Sequence, residues 1–477
     1  MSRLSRSLGV RGGEGRMVAL VATMFAAIEA GRGFGEIGAD TLVISRFGAA
    51  LLPYLFIGLG LVSLAAALAY GAALGRVRRR TLFAGLLGVV GALLVLERLA
   101  LATGAPAAIP VLWLTVYAAG TIAVTIAWTV AGSVFDARQA KRLFPVCTSA
   151  AIAGSFAGML AAGPVARMVG TESLVVVEAA LLGAAALLIA RVAHGPTGAR
   201  LRAPAGRRSI GAELRAGLDY VARSPLMRLV AVAYVLFSIL LFSVTFPFLR
   251  AMAEAFPDEA DLATNLGLLS AAVTATSFVV SLAVANRVYA RFGVATAAVI
   301  LPVVYVAGFG LWLVHFSVGT AAVVRFIQQV TQRGISNAAW SAFYNVVPVE
   351  RRAQVLAFND GVPGQVGIAL SGVLLLAAGS LLAPDQVFWL GAAAALVCTL
   401  VVLAIRRAYG RSLVATLRAG LAEQVLGGGP GLAGLAHDAG VVADLVSGLG
   451  ATEPGVRAMA ADLLGQIGAV EAADALV

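Results

Sequence analysis

The chain of 477 residues is 60% hydrophobic and only 12% charged, with a mean hydropathy of +0.93. Soluble globular domains carry about 25% charged residues, so this composition excludes a soluble globular protein and indicates one that lies in a lipid bilayer. The net charge of +11 requires no nucleic acid to explain it, because cations gather in cytoplasmic loops of membrane proteins. We therefore expect lipid, and no nucleic acid, as a partner.

Runs of about 20 apolar residues are the unit that crosses a bilayer as a helix. They predict an all-α membrane protein of twelve transmembrane helices arranged in two six-helix halves. The predicted spans are 17–32, 49–74, 81–102, 107–133, 146–168, 173–194, 226–249, 262–287, 294–315, 318–346, 353–381 and 384–405.

Composition shifts divide the chain into four parts. The first six spans form an N-terminal half (1–194), a polar and basic connector follows (195–225), and six further spans form a C-terminal half (226–408). The remainder (409–477) is predicted to be a cytoplasmic helical tail. Its end, VRAMAADLLGQIGAVEAADALV, resembles a HEAT-type repeat. Because such a solenoid needs about three repeats, we expect the tail to be incomplete and the natural protein to be longer.

The distribution of cations predicts the topology. With the N-terminus in the cytoplasm, most of the 35 Lys and Arg residues fall on the inward side. This bias follows the positive-inside rule and places both termini in the cytoplasm. The loop FDARQAKRLFP, residues 135–145, then faces inward, and its charges could serve topology alone. The outward side holds only Arg32, Arg46, Arg98, Arg167 and Arg250.

Two inward turns, GAALGRVRRR at 71–80 and ANRVYARFGV at 285–294, occupy matching places in the two halves. The first is similar to the helix two–three loop of the major facilitator superfamily, with Gly75 where an acidic residue is usual. Such carriers rock two halves about a central site, so we expect inward-closing contacts here, with Asp136 pairing with nearby cations. The predicted gating residues are Arg76, Arg79, Asp136, Arg138, Arg142, Arg287 and Arg291.

The tenth predicted span carries a polar stripe. Its side chains recur at steps of three and four, which places them on one helix face. Intramembrane charge usually faces a cavity or a partner. The stripe therefore predicts a substrate-binding face for an anion, and the open alternative is an Arg–carboxylate pair that holds the bundle together. The stripe residues are Arg325, Gln328, Gln329, Gln332, Arg333 and Asn337.

The first span adds a second candidate group. Glu29 and Arg32 lie one turn apart on the same face, and Glu36 and Asp40 follow towards the predicted outer mouth. We expect Arg32 to bind the anion, and Glu29 or Asp40 to bind a coupled proton or to close an internal ion pair. Glu178, in the sixth span, is expected to be an uninvolved carboxylate near the outer interface.

Three stretches resemble, in order, segments of the ATP:ADP antiporter family, the nucleotide carriers of plastids and intracellular bacteria. One departure is that Asp40 follows Ala39, where the family has a Lys. With the HEAT-like tail, the resemblance points to the bacterial form fused to HEAT repeats. The stretches are FDARQAKRLFPVCTSAAIAGSFAGML, GADTLVISRFGAALLPYLF and VPVERRAQVLAFNDGVPGQVGIALSGVLLL.

The resemblance implies a secondary active transporter of the bacterial inner membrane. It would move an organic anion, a nucleotide in ATP/ADP-like exchange or another phosphorylated metabolite, by alternating access. No nucleophile–base constellation, metal motif, cofactor motif or phosphate loop indicates an enzyme. The alternative is a membrane anchor or sensor that does not transport and whose tail binds a protein partner.

Overall fold

The computed structural model describes residues 11, 14–74, 76–194, 210–381 and 386–418, together with six isolated positions between 446 and 464. Within these ranges almost every residue is helical and no strand occurs. The predicted HEAT-like repeat and residues 195–209 of the predicted connector lie outside the described residues, as does Gly75.

Six helices form the N-terminal part of the chain, and each contains a predicted span. The first is longer than the sequence predicts, because α1 continues past 32 and so includes Glu36 and Asp40. The apolar run ends where charge begins, but the helix continues because neighbouring helices cover those charges. The helices are α1 (Gly15–Phe47), α2 (Leu52–Leu74, after a 3-10 turn at Ala49–Leu51), α3 (Arg79–Ala102), α4 (Ala108–Val134), α5 (Ala137–Val169) and α6 (Ser173–His194).

The later helices are more often interrupted. Two π-helical segments, at Ser281–Ala285 and Gln332–Ser336, break otherwise continuous helices, and a 3-10 turn spans Phe343–Val346. The helices are α7 (Ile210–Arg223), α8 (Pro225–Ala255), α9 (Glu259–Val280), α10 (Asn286–Phe292), α11 (Val294–Ala297), α12 (Ile300–Val314), α13 (Val318–Thr331), α14 (Asn337–Ala342), α15 (Val349–Gly361), α16 (Pro363–Leu381) and α17 (Gln386–Arg418).

Eleven helical stretches in the described part of the chain are long and apolar enough to cross a membrane. They correspond to eleven of the twelve predicted spans. The remaining prediction, 318–346, is also helical along its length, but its polar stripe lowers its hydropathy. The chain is therefore a multi-pass, all-α membrane protein. Two further differences from the sequence prediction concern later parts of the chain: α7 forms a helix inside the predicted connector, and α17 continues past 408.

The described residues form two compact units. The first draws on 1–210, 244–275 and 368–376, and the second on 211–243, 276–367 and 377–477. In the first unit α1 packs against α4, α5 and α6, and α3 packs against α6. In the second, α12 packs against α13 and α17. Gly217 of α7 also approaches Gln354 and Phe358 of α15.

The GSFAG motif of α5 forms a close helix contact. A side chain at Gly154 would overlap the backbone of Ala26 in α1, and one at Gly158 would overlap the backbone of Ala30. Small residues at a spacing of four allow helix backbones to approach closely in a bilayer, where van der Waals packing drives association. These small residues therefore form the α1–α5 interface.

The loop FDARQAKRLFP contains the start of α5. The Asp136 carboxylate accepts the backbone N–H of Gln139 at 2.7 Å, and the Gln139 side-chain oxygen accepts the backbone N–H of Asp136 at 3.1 Å. This capping box satisfies two N–H groups that the helix leaves unbonded. The expected pairing of Asp136 with cations in the outward-open state stays a prediction; in this conformation its carboxylate caps the N-terminus of α5.

Glu14, just before α1, is the acidic partner of this loop. Its carboxylate accepts Nη2 of Arg142 at 3.1 and 3.3 Å, Nε2 of Gln139 at 3.1 Å and the backbone N–H of Arg11 at 3.0 Å. The Arg11 backbone N–H, followed by Arg142 and Gln139, holds the pKa of Glu14 below its ordinary value, and desolvation opposes this only in part. The ionised carboxylate therefore ties the start of α1 to α5.

Replacing Gly154 with Ala is expected to destabilise the protein. The added methyl overlaps the Ala26 backbone, and overpacking of this kind costs about 1–3 kcal/mol. Thermal unfolding in detergent should show a lower Tm for Gly154→Ala. Gly183→Ala is the matched control, because no atom lies within 4 Å of a Cβ at that helical position. Equal Tm values for the two variants would refute the close α1–α5 contact.

The stabilising effect of Glu14 is expected to depend on pH. A pKa lowered by folding gives stability that is present above the ordinary glutamate pKa of about 4.3 and is lost as pH falls through the folded value. The Tm difference between wild type and Glu14→Gln should thus be greatest near neutral pH and shrink in acid. Glu254→Gln, which breaks an exposed pair with Arg250, should change Tm little at any pH. A difference for Glu14→Gln that is constant with pH contradicts the assignment.

Candidate functional site

A compact ion network lies on α1. Nη2 of Arg32 is 2.7 Å from Oε2 of Glu29, and Nη1 is 3.3 Å from Oε1 of Glu36. All three side chains are partly buried. The predicted pairing of Glu29 with Arg32 is present, and Glu36 joins it from the next turn. One guanidinium between two carboxylates leaves a net negative charge, so an incoming anion would compete with the carboxylates for Arg32.

Asp40 lies one turn beyond Glu36 and is fixed by α4. Its Oδ1 accepts Nε1 of Trp113 at 2.8 Å, and its two oxygens accept the hydroxyl of Tyr117 at 2.9 and 3.0 Å. Trp113 and Tyr117 are four residues apart and so lie on one helix face. Sequence reasoning missed both, because WLTVY does not reveal which helix it faces.

The second polar group lies on α13, in the other unit. Arg325 donates Nη1 to Oε1 of Gln328 at 3.2 Å. With the amide of Gln329 oriented so that its oxygen faces the guanidinium, Gln329 accepts Nε and Nη2 of Arg325 at 2.8 Å each. Gln328 is fully buried and donates to Gln332 at 2.7 Å. The sequence correctly predicts that these four residues share a face.

The π-helical segment changes the register of the stripe after Gln332. A π turn adds a residue to the helical repeat, so Arg333 and Asn337 do not continue the face of Arg325 and are exposed. The hydroxyl of Tyr289 donates to the backbone carbonyl of Ile335 within the π segment. The predicted single stripe is thus divided: four of its residues form a network, and two lie outside it.

Two buried carboxyls were missed as site residues. Glu178 on α6 is 1% exposed, and its Oε2 has no hydrogen-bond partner among the described residues. Glu97 on α3 is 6% exposed; its Oε1 accepts Oγ1 of Thr115 at 2.6 Å, whereas its Oε2 is likewise unpartnered there. Glu178 was expected to be uninvolved and near the outer interface; the structure shows its carboxyl buried against Gly35 of α1. The signal was an acid within the apolar run SLVVVEAALL.

Ion pairs connect the helix ends predicted to face outward. Arg46 contacts Glu172 and Glu259 at 2.8 Å each. Arg98 also contacts Glu172, at 2.9 Å. These contacts lie within the first unit and link the ends of α1 and α3 to Glu172, just before α6, and α1 to the start of α9. Exposed pairs of this kind contribute little stability each, but they can break and re-form at low cost.

The two networks offer different chemistry. On α1 the guanidinium of Arg32 is paired with carboxylates, whereas the Gln328 and Gln329 amides contact and orient the guanidinium of Arg325. Both can present a cation to an anion. Within the described part of the chain, no group of three or more His, Cys, Asp or Glu residues is placed to hold a metal ion.

Comparison with known proteins supports the family resemblance. Residues 202–336 match the family described as TLC ATP/ADP transporter, a segment that contains the polar network of α13. No curated protein sequence matches the chain. The match supports a carrier, and it does not extend to a HEAT-repeat fusion.

Solved structures define the fold. The nucleoside transporter NupG aligns with a TM-score of 0.60 at 14% identity, covering 82% of this chain and 98% of its own. A D-xylose–proton symporter aligns at 0.59 and 13% identity, with coverages of 81% and 97%. A POT family transporter aligns at 0.60 and 13% identity, with coverages of 83% and 96%. At such identities the likeness concerns the fold alone.

The described helices therefore have the architecture of major-facilitator-like transporters, as the sequence predicts. The matched segment adds a family-specific signal at the start of the C-terminal helices and through the polar network of α13. The chain is a multi-pass membrane protein with the major-facilitator-like fold, and its residues 202–336 match the TLC ATP/ADP transporter family.

Proposed function

We propose that the protein is a secondary active transporter of a phosphorylated organic anion, with a nucleotide in ATP/ADP-like exchange as the first candidate. The observation that carries this proposal is the guanidinium of Arg325, held by the neutral amides of Gln328 and Gln329 inside the family-matched segment. Arginine presents parallel N–H donors that match the oxygens of a phosphate. An intramembrane cation of this kind is a binding-site hypothesis by default.

The amide chain supports this role. Gln328 contacts both Arg325 and Gln332, so a ligand that displaces one amide can use the others as hydrogen-bond donors or acceptors. On α1, Arg32 is a second candidate anion ligand, with Glu29 and Glu36 as the internal anions that occupy it in this conformation. Glu29 and Asp40 complete the proposed α1 group, and Arg333 and Asn337 would act only in a conformation that brings them to the ligand.

Alternating access, in this proposal, uses the inward loops as contacts that open and close. Arg142 already forms an ion pair with Glu14. Asp136 supports this contact because its carboxylate caps the N-terminus of α5. Arg76, Arg79, Arg138, Arg287 and Arg291 remain proposed members of the same set. We also propose a bacterial inner-membrane location with cytoplasmic termini and a membrane part of two six-helix halves, on the basis of the cation bias.

Nucleotide binding is expected to depend on Arg325. ATP, ADP, phosphorylated sugars and other organic anions would be added to the purified protein in detergent, because a ligand that binds the folded state raises Tm. We expect ATP or ADP to raise the Tm of wild type. Arg325→Ala should lower the affinity at least tenfold, since truncating one partner of a buried charge contact costs about 2–5 kcal/mol.

The control is Arg250→Ala, which removes an exposed Arg paired with Glu254 and should keep the full response. Arg325→Lys keeps the charge but loses the forked donors, so an intermediate response is expected. A nucleotide response that survives Arg325→Ala refutes the proposed site. If no anion in the panel shifts wild type, the substrate proposal fails and a membrane anchor whose tail binds a protein becomes the better account.

A further inference from the structure

Glu178 is buried in a way that does not suit an ionised carboxylate. Its carboxyl lies against the backbone of Gly35, so closely that any side chain at position 35 would overlap it. It is 1% exposed, and its Oε2 receives no hydrogen bond from any described residue. An unpaired carboxylate in such surroundings is strongly unfavourable, whereas a protonated carboxyl is neutral. The geometry therefore favours Glu178 with its proton bound.

The charges around Glu178 come from several helices. Arg32 and Glu36 on α1 and Glu97 on α3 lie close enough to act electrostatically on its carboxyl. Glu29 is paired with Arg32 and therefore acts on the Glu178 carboxyl indirectly, through the charge of Arg32. Glu172, just before α6, forms ion pairs with Arg46 and Arg98. Asp40, farther along α1, receives hydrogen bonds from Trp113 and Tyr117. The other charged groups of the adjoining helices lie towards the helix ends: Arg16, Arg79, Arg80, Arg138, Lys141, Arg142, Arg167, which pairs with Asp261, Arg191 and His194.

We propose that Glu178 is a proton-binding site and that its proton favours the binding of an anion at Arg32. Arg32 already lies between two carboxylates. If Glu178 were ionised, a third negative charge would compete for Arg32 and repel the incoming anion. With Glu178 protonated, that charge is absent. The carboxylate takes its proton from water when α1 and α6 separate enough to wet it, and returns it to water when they next do so.

Proton and anion binding are then positively coupled, and by linkage each favours the other to the same extent. Such coupling is what a carrier needs in order to move both species together. The anion part rests on the function proposed above, but the protonation of Glu178 does not. Two measurements test the protonation of Glu178 and its coupling to anion binding separately.

The first measurement is infrared spectroscopy of the purified, folded protein, which detects the C=O stretch of a protonated carboxyl. Wild type should show this band at pH 7, and Glu178→Gln should lose it. Glu172→Gln is the control, one residue before the same helix: Glu172 is paired with Arg46 and Arg98, so the band should remain when it is replaced. Absence of the band from wild type overturns the proposal, as does a band that survives Glu178→Gln or disappears only in Glu97→Gln.

If Glu178→Gln does not fold, Glu178→Asp serves instead. It keeps a titratable carboxyl but changes its position, so it should shift the band. An unchanged band in Glu178→Asp overturns the proposal.

The second measurement compares the Kd of ATP for wild type and for Glu178→Gln across pH. The ratio of the two values cancels the protonation of ATP itself. At low pH Glu178 is protonated and neutral, like the glutamine, so the Kd of wild type divided by the Kd of Glu178→Gln should be near one. At high pH wild type should bind ATP more weakly, and this ratio should rise by roughly tenfold, within the usual range of coupling between sites. A ratio that does not change with pH overturns the coupling. If ATP binds to neither protein, the proposed substrate fails, while the infrared result still decides the proton site.

Discussion

The first unit depends on one constraint: α1 must lie in an apolar medium while it carries Glu29, Arg32, Glu36 and Asp40. Each of these charges has its own compensation. Arg32 lies between Glu29 and Glu36, and Asp40 receives donors from Trp113 and Tyr117 of α4. The opposite faces of α1 are sealed by α5 and α6. A charged helix is stable here because its polar groups are satisfied locally and its remaining surface is closely packed.

Glycine residues allow this close packing of α1, and one of them also determines the surroundings of the Glu178 carboxyl. Gly154 and Gly158 bring α5 against the backbone of α1. Gly35 brings α6 equally close, and the space left by the missing side chain is taken by the Glu178 carboxyl. The close packing that stabilises the helix pair therefore excludes the water that a carboxylate would need. Packing and protonation at this point are two consequences of one contact.

The sequence predicted the helical class and the spans well, because apolar runs report directly on the surrounding solvent. It failed where the answer depends on which helix is the neighbour. The end of α1 was missed because charges interrupt the apolar run, and the partners that allow the helix to continue, such as Trp113, are distant in sequence. The surroundings of Glu178 could not be predicted for the same reason, because Gly35, against which its carboxyl lies, is distant in the chain. The capping role of Asp136 was not foreseen, because cation partners were considered and the unbonded N–H groups of its own helix were not.

The two arginine networks satisfy the same membrane constraint in opposite ways. Two carboxylates pair with Arg32 and leave that cation occupied. The amides of Gln328 and Gln329 orient the guanidinium of Arg325. The adjoining π segment shows a related compromise, because its irregular backbone exposes a carbonyl that Tyr289 must satisfy. A guanidinium oriented by side-chain amides beside a distorted stretch of helix is the arrangement on which the proposed anion site rests.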